Sequence, residues 1–78
     1  MKNLSDIKPG ENAVIKNLKC EGALRRRLLD MGITPNTHIH MIKTAPLGDP
    51  LEIRLRGYVL TIRKEDARMI EISYINLQ

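Results

Sequence analysis

Aromatic side chains are almost missing from this chain. Its 78 residues include no Trp, no Phe and only two Tyr, Tyr58 and Tyr74. That scarcity removes the stacking platform on which single-stranded nucleic acids are held, and the aromatic-lined groove that proline-rich peptides need. Cysteine is scarce too. Cys20 stands alone, so it has no partner for an internal disulfide, and a reducing cytoplasm is the simple expectation. With only Lys19 beside it, Cys20 reads as an inert small side chain rather than a reactive thiolate. No run approaches the ~18 apolar residues of a membrane span, and Met1 is not followed by the charged-then-apolar pattern of a signal peptide. No Gly-rich loop opens a helix, because Gly22 stands by itself. No Ser or Cys nucleophile has a base and an orienting residue near it in sequence. The expectation is a protein that is not an enzyme.

Charge narrows the options less. Thirteen basic and nine acidic residues give a net charge of +4. A mildly basic balance fits nucleic acid, an anionic membrane surface or simply a solvated Arg/Lys face. A chain of this length has room for one core and buries only roughly 60–65% of its unfolded surface. We therefore expect residues 1–78 to form a single domain.

The most informative stretch is Leu51 to Arg63. Apolar and polar residues alternate on both sides of Arg56-Gly57, the period of half-buried strands. A two-residue loop ending in Gly favours a primed turn, because Gly accepts positive φ. That turn sets Leu55 opposite Tyr58, Ile53 opposite Leu60 and Leu51 opposite Ile62 on the apolar face. Arg54 with Val59, and Glu52 with Thr61, fall on the other face.

Elsewhere, Leu4 to Gly10 reads as a lead-in ending in a Pro9-Gly10 turn, and Ala13 to Leu18 as a first strand. From Leu24 to Met31 the period changes: Leu24, Leu28 and Met31 recur on one helical stripe. Gly32 stands where a left-handed residue would end that helix, with Ile33 packing back. Thr34-Pro35-Asn36-Thr37 reads as a turn and Thr37 to Thr44 as a strand, with Ile39 and Met41 on one face and His38, His40 and Ile42 on the other. Ala45 to Pro50 is an irregular loop, Lys64 to Met69 one helical turn, and Ile70 to Ile75 a last strand. The fold class is mostly β: a small SH3-like, partly open barrel of about five sequentially paired antiparallel strands, with a short α-helix inserted after the first and a short helical turn before the last.

Three motifs carry a family resemblance. They are Leu24-Arg25-Arg26-Arg27-Leu28-Leu29-Asp30-Met31-Gly32-Ile33-Thr34-Pro35, then Ala45-Pro46-Leu47-Gly48-Asp49-Pro50, then Ile53-Arg54-Leu55-Arg56-Gly57-Tyr58. In this order they resemble the ferrous-iron transport protein A (FeoA) family, over nearly the whole chain. The resemblance implies an SH3-like barrel. It also implies a cytoplasmic accessory protein that binds and modulates a membrane Fe²⁺ transporter of the FeoB type, with its cytoplasmic G-protein domain. On that view the chain meets the inner face of the membrane only through its partner, no nucleic acid is expected, and no cofactor is required. Similar domains end some metal-dependent repressors, but no DNA-reading helix-turn-helix precedes the barrel motifs here. Asn36 stands where the family often has Gly, and His38 and His40 where it commonly has polar or acidic residues.

Two sets of residues are candidates for contact. Arg25, Arg26 and Arg27 form a basic run on the helix, either solvated with Asp30 in i+3 or i+4 reach or turned toward an acidic partner surface. Leu47 and Asp49 sit in the loop between prolines. Leu47 is expected to tuck under the end of the barrel; its alternative is a small apolar anchor. The other set is His38 and His40, about 6.5 Å apart along one strand face. As metal ligands they would need one or two more donors, so at most weak Fe²⁺ or adventitious Zn²⁺ binding is expected. A metal-sensing module and a small basic nucleic-acid-binding barrel are the rival functions.

Overall fold

Register in the central hairpin follows from its turn. In the computed structural model, which describes residues 2–75, Arg56 (φ 49°) and Gly57 (φ 83°) are both left-handed, the geometry of a type I′ turn. β3 (Leu51–Leu55) and β4 (Tyr58–Ile62) pair as expected, from Leu55 opposite Tyr58 to Leu51 opposite Ile62. Leu51, Ile53, Leu55 and Ile62 are buried. Tyr58 departs from the alternation: it is 41% exposed, and its hydroxyl donates to the Met31 carbonyl instead of joining the core.

The remaining elements are β1 (Asn12–Leu18), α1 (Gly22–Asp30), β2 (His38–Thr44), α2 (Lys64–Ala67) and β5 (Ile70–Tyr74). Short 3-10 turns occupy Leu4–Asp6 and Pro46–Gly48. α1 buries Leu28, with Leu24, Leu29 and Met31 packed against the core. Its C-terminus closes through Gly32 (φ 96°). The Ile33 N–H donates to the Leu28 carbonyl and the Gly32 N–H to that of Leu29, both at 3.0 Å, which is a Schellman cap. Asn36 (φ 71°) then supplies the positive φ of the following turn, closed by Thr37 N–H to the Thr34 carbonyl at 3.2 Å.

The strands form one antiparallel sheet in the order β4-β3-β2-β1-β5. Sequential pairing therefore holds from β1 to β4 and fails at β5. The four residues of α2 carry the chain from one edge of the sheet to the other. There β5 pairs with β1, from Ala13 opposite Tyr74 to Leu18 opposite Ile70. The reason is burial: this placement brings Ile70 and Ile72 into the same core as Ala13, Ile15, Leu28, Ile39 and Met41. The lead-in adds Leu4 and Ile7 to that core, with its 3-10 turn lying against α2 and β5.

Candidate functional site

The basic run on α1 divides on inspection. Arg27 forms an ion pair with Asp66 of α2 at 3.0 Å, so its partner is a neighbouring helix and not Asp30. Arg25 is half-buried, with its guanidinium 3.4 Å from the Leu18 carbonyl. Arg26 is exposed. Arg25 and Arg26 line a shallow groove of about 260 Å³ with Gly22 and Leu29.

Leu47 overturns its expectation. It is 99% exposed and does not tuck under the barrel. The cause is local: the Gly48 N–H donates to the Ala45 carbonyl at 2.7 Å, closing a turn with Pro46 second and Leu47 third. Leu47 then takes φ 76°, ψ 6°, the position of a type II turn that Gly or Asn normally fills. An apolar β-carbon residue held left-handed costs about 1–2 kcal/mol, and here no burial offsets it. Asp49 has a structural job. Its carboxylate accepts the Lys64 N–H at 3.0 Å, satisfying a backbone donor in the first turn of α2. The Leu47 loop, through Asp49, and the α1 arginines, through Arg27, thus both hold α2.

His38 and His40 leave β2 on its outer face, and a third residue lies between them. Asn12 Oδ1 is 3.1 Å from His38 Nε2 and 3.1 Å from His40 Nδ1. Cross-strand register lines up Asn12, His40, Arg54 and Val59 in one row. Among the described residues no group of three or more His, Cys, Asp or Glu converges as a metal site would. Arg56 closes this end of the face; its Nη2 donates to Thr34 Oγ1 at 2.8 Å and Thr37 Oγ1 at 3.0 Å. Sequence reasoning missed Asn12, Arg54 and Arg56 as neighbours of the histidines. The outward facing of Arg54 was readable, but the loop from Ala45 to Pro50 hides the β2–β3 register that sets it beside His40.

A five-stranded antiparallel sheet with a helix after β1 and a short strapped helix before β5 defines an SH3-like domain, and no described helix is long and apolar enough to cross a membrane. The family model described as FeoA domain matches residues 2–74, and the chain belongs to the FeoA family, a family associated with ferrous iron transport. It is 37% identical over 73 residues to the Fe(2+) transport protein A/Fe(2+) transporter FeoB fusion protein of Porphyromonas gingivalis, covering 94% of this chain and 9% of that protein. The solution structure of iron(II) transport protein A from Clostridium thermocellum superposes with a TM-score of 0.91 at 36% identity, covering 95% of this chain and 46% of that one. The chain thus spans less than half the length of either. Stenotrophomonas maltophilia FeoA, a procaryotic SH3 domain protein solved with zinc, shares the fold at a TM-score of 0.82 and 21% identity, over 94% of this chain and 91% of that one.

Proposed function

We propose that this chain is a non-enzymatic accessory module of ferrous iron uptake that binds the cytoplasmic part of a FeoB-type membrane transporter and modulates it. The observation that carries this reading is the Porphyromonas gingivalis fusion, in which a segment 37% identical to this chain is covalently joined to the transporter. Fusion makes the encounter intramolecular, which is useful only where the two parts work together. On the surface, the α1 arginines supply a patch that steers an acidic partner. Leu47 supplies an apolar anchor that is already ordered by Pro46, so binding it costs little conformational entropy. Such a module shifts the transporter's states only by binding one of them better than another.

The test is retention of the transporter's purified cytoplasmic region on immobilised chain, with and without guanine nucleotide, at low salt. Retention that changes with nucleotide supports modulation. Absence of retention in every nucleotide state overturns the reading.

A further inference from the structure

One groove on the outer face of β2 and β3 is lined by basic side chains and, among the described residues, by no acidic one. His38, His40, Arg54 and Arg56 line a groove of about 320 Å³ with Asn12, Leu55 and Gly57, and no carboxylate lines it. His40 stands directly opposite Arg54 in the β2–β3 ladder, where facing cations weaken a sheet when both are charged. Two acids near these positions in the chain have other partners: Glu11 Oε1 accepts the Lys8 N–H at 2.7 Å, and Glu52, on the same face of β3, pairs with Lys43 at 4.0 Å. Beyond Arg54 the row ends in the uncharged Val59 of β4.

Asn12 makes the arrangement compatible with two charged imidazoles. Its Oδ1 receives a ring nitrogen from each histidine at 3.1 Å, and an amide oxygen accepts two N–H donors whether the rings are neutral or protonated. Each ring keeps its second nitrogen, His38 Nδ1 and His40 Nε2, which becomes a donor on protonation. Arg56 spends one Nη on Thr34 and Thr37 and keeps the rest of its fork. Arg54 has no polar partner among the described residues.

We propose that this face is a binding site for a tetrahedral oxyanion of the phosphate or sulfate type, held by Arg54 and Arg56 with His38 and His40 beside them. Donors reaching in from two strands and a turn match an ion with four oxygens better than a carboxylate with two. The same field opposes a divalent cation between the two rings.

Sulfate is the probe, because its charge stays fixed near neutral pH. Amide and imidazole NMR shifts are followed during sulfate titration, with ionic strength held by chloride. Saturable shifts centred on Asn12, His38, His40 and Arg54 are expected. Arg54→Gln weakens binding roughly tenfold, the worth of one charge-assisted hydrogen bond. His38→Gln/His40→Gln weakens it less and leaves the arginine-held affinity. All three positions face outward, and unchanged circular dichroism confirms the fold. Absence of saturable shifts, insensitivity to Arg54→Gln, or shifts centred on Arg25 and Arg26 overturns the proposal. Co-sedimentation with phosphatidic-acid vesicles but not zwitterionic ones, lost in Arg54→Gln, assigns the oxyanion to a lipid headgroup; sulfate binding without vesicle binding assigns it to a free ion.

Discussion

Replacing Gly32 by Ala tests how α1 is locked to the hairpin. Gly32 sits at φ 96°, and a β-carbon built there would lie 2.7 Å from the Tyr58 hydroxyl oxygen. Two costs follow. Left-handed backbone on a residue with a β-carbon costs about 1–2 kcal/mol. The Tyr58 ring must also swing away, and its hydroxyl then gives up the Met31 carbonyl, a loss of about 0.5–1.5 kcal/mol. The sum is roughly 1.5–3.5 kcal/mol out of the roughly 4–12 kcal/mol available to a domain this small. Gly57→Ala is the control, because Gly57 is also left-handed (φ 83°) but has nothing within 4 Å of its built β-carbon. It should show the backbone strain alone. In a Tyr58→Phe background the clashing oxygen is gone, so Gly32→Ala should cost no more than the control. Urea melts of the four proteins in that cycle give a coupling of about 1 kcal/mol. A Gly32→Ala penalty equal to that of Gly57→Ala, or a coupling of zero, would refute the link between the helix cap and the tyrosine.

Reversing Arg25 and Arg26 to Glu should slow association with the transporter's cytoplasmic region, with the difference shrinking as salt rises; stopped-flow mixing at two ionic strengths reads it. Leu47→Asn should keep or raise stability by up to about 1 kcal/mol, since Asn tolerates positive φ, while speeding dissociation of the complex. The isolated chain should bind Fe²⁺ or Zn²⁺ only weakly, because two imidazoles beside Arg54 do not complete a coordination sphere; a tight one-to-one site by calorimetry, lost in His38→Ala/His40→Ala, would contradict this. Burial, then the nearby Glu11 and Asp6 carboxylates, raises the Tyr74 hydroxyl pKa above its usual value. The neutral form is thus favoured in the fold, and that contribution is intact below about pH 10 and lost as pH rises through the folded pKa. Urea midpoints should therefore fall less steeply above that pH in Tyr74→Phe than in the unmodified chain.

What was legible in the sequence is what local chemistry decides. Arg56-Gly57 fixed a turn type, and the turn type fixed five facing pairs. Gly32 and Ile33 fixed the helix end through bonds that reach back only to Leu28 and Leu29. Pairing of β5 with β1 lay out of reach, because it joins segments more than fifty residues apart and is selected by the shared core, not by any turn. The role of Asp49 at the start of α2, and of Asn12 between the histidines, are long-range side-chain bonds of the same kind.

Leu47 failed for a different reason, and the failure bears on function. Apolar residues in short loops are usually explained by burial, so tucking was the economical reading. The turn chemistry of Ala45-Pro46-Leu47-Gly48 places the third residue left-handed and outward whatever its side chain. Fold stability alone would favour Gly or Asn there. On the proposed reading, a contact outside the chain offsets the strain that the exposed Leu47 carries. Leu47→Asn therefore separates the two demands: it relieves the turn while deleting the anchor. If the variant dissociates from the transporter as slowly as the unmodified chain, the strain at Leu47 has no partner to explain it, and the contact surface must be sought away from the loop that flanks α2.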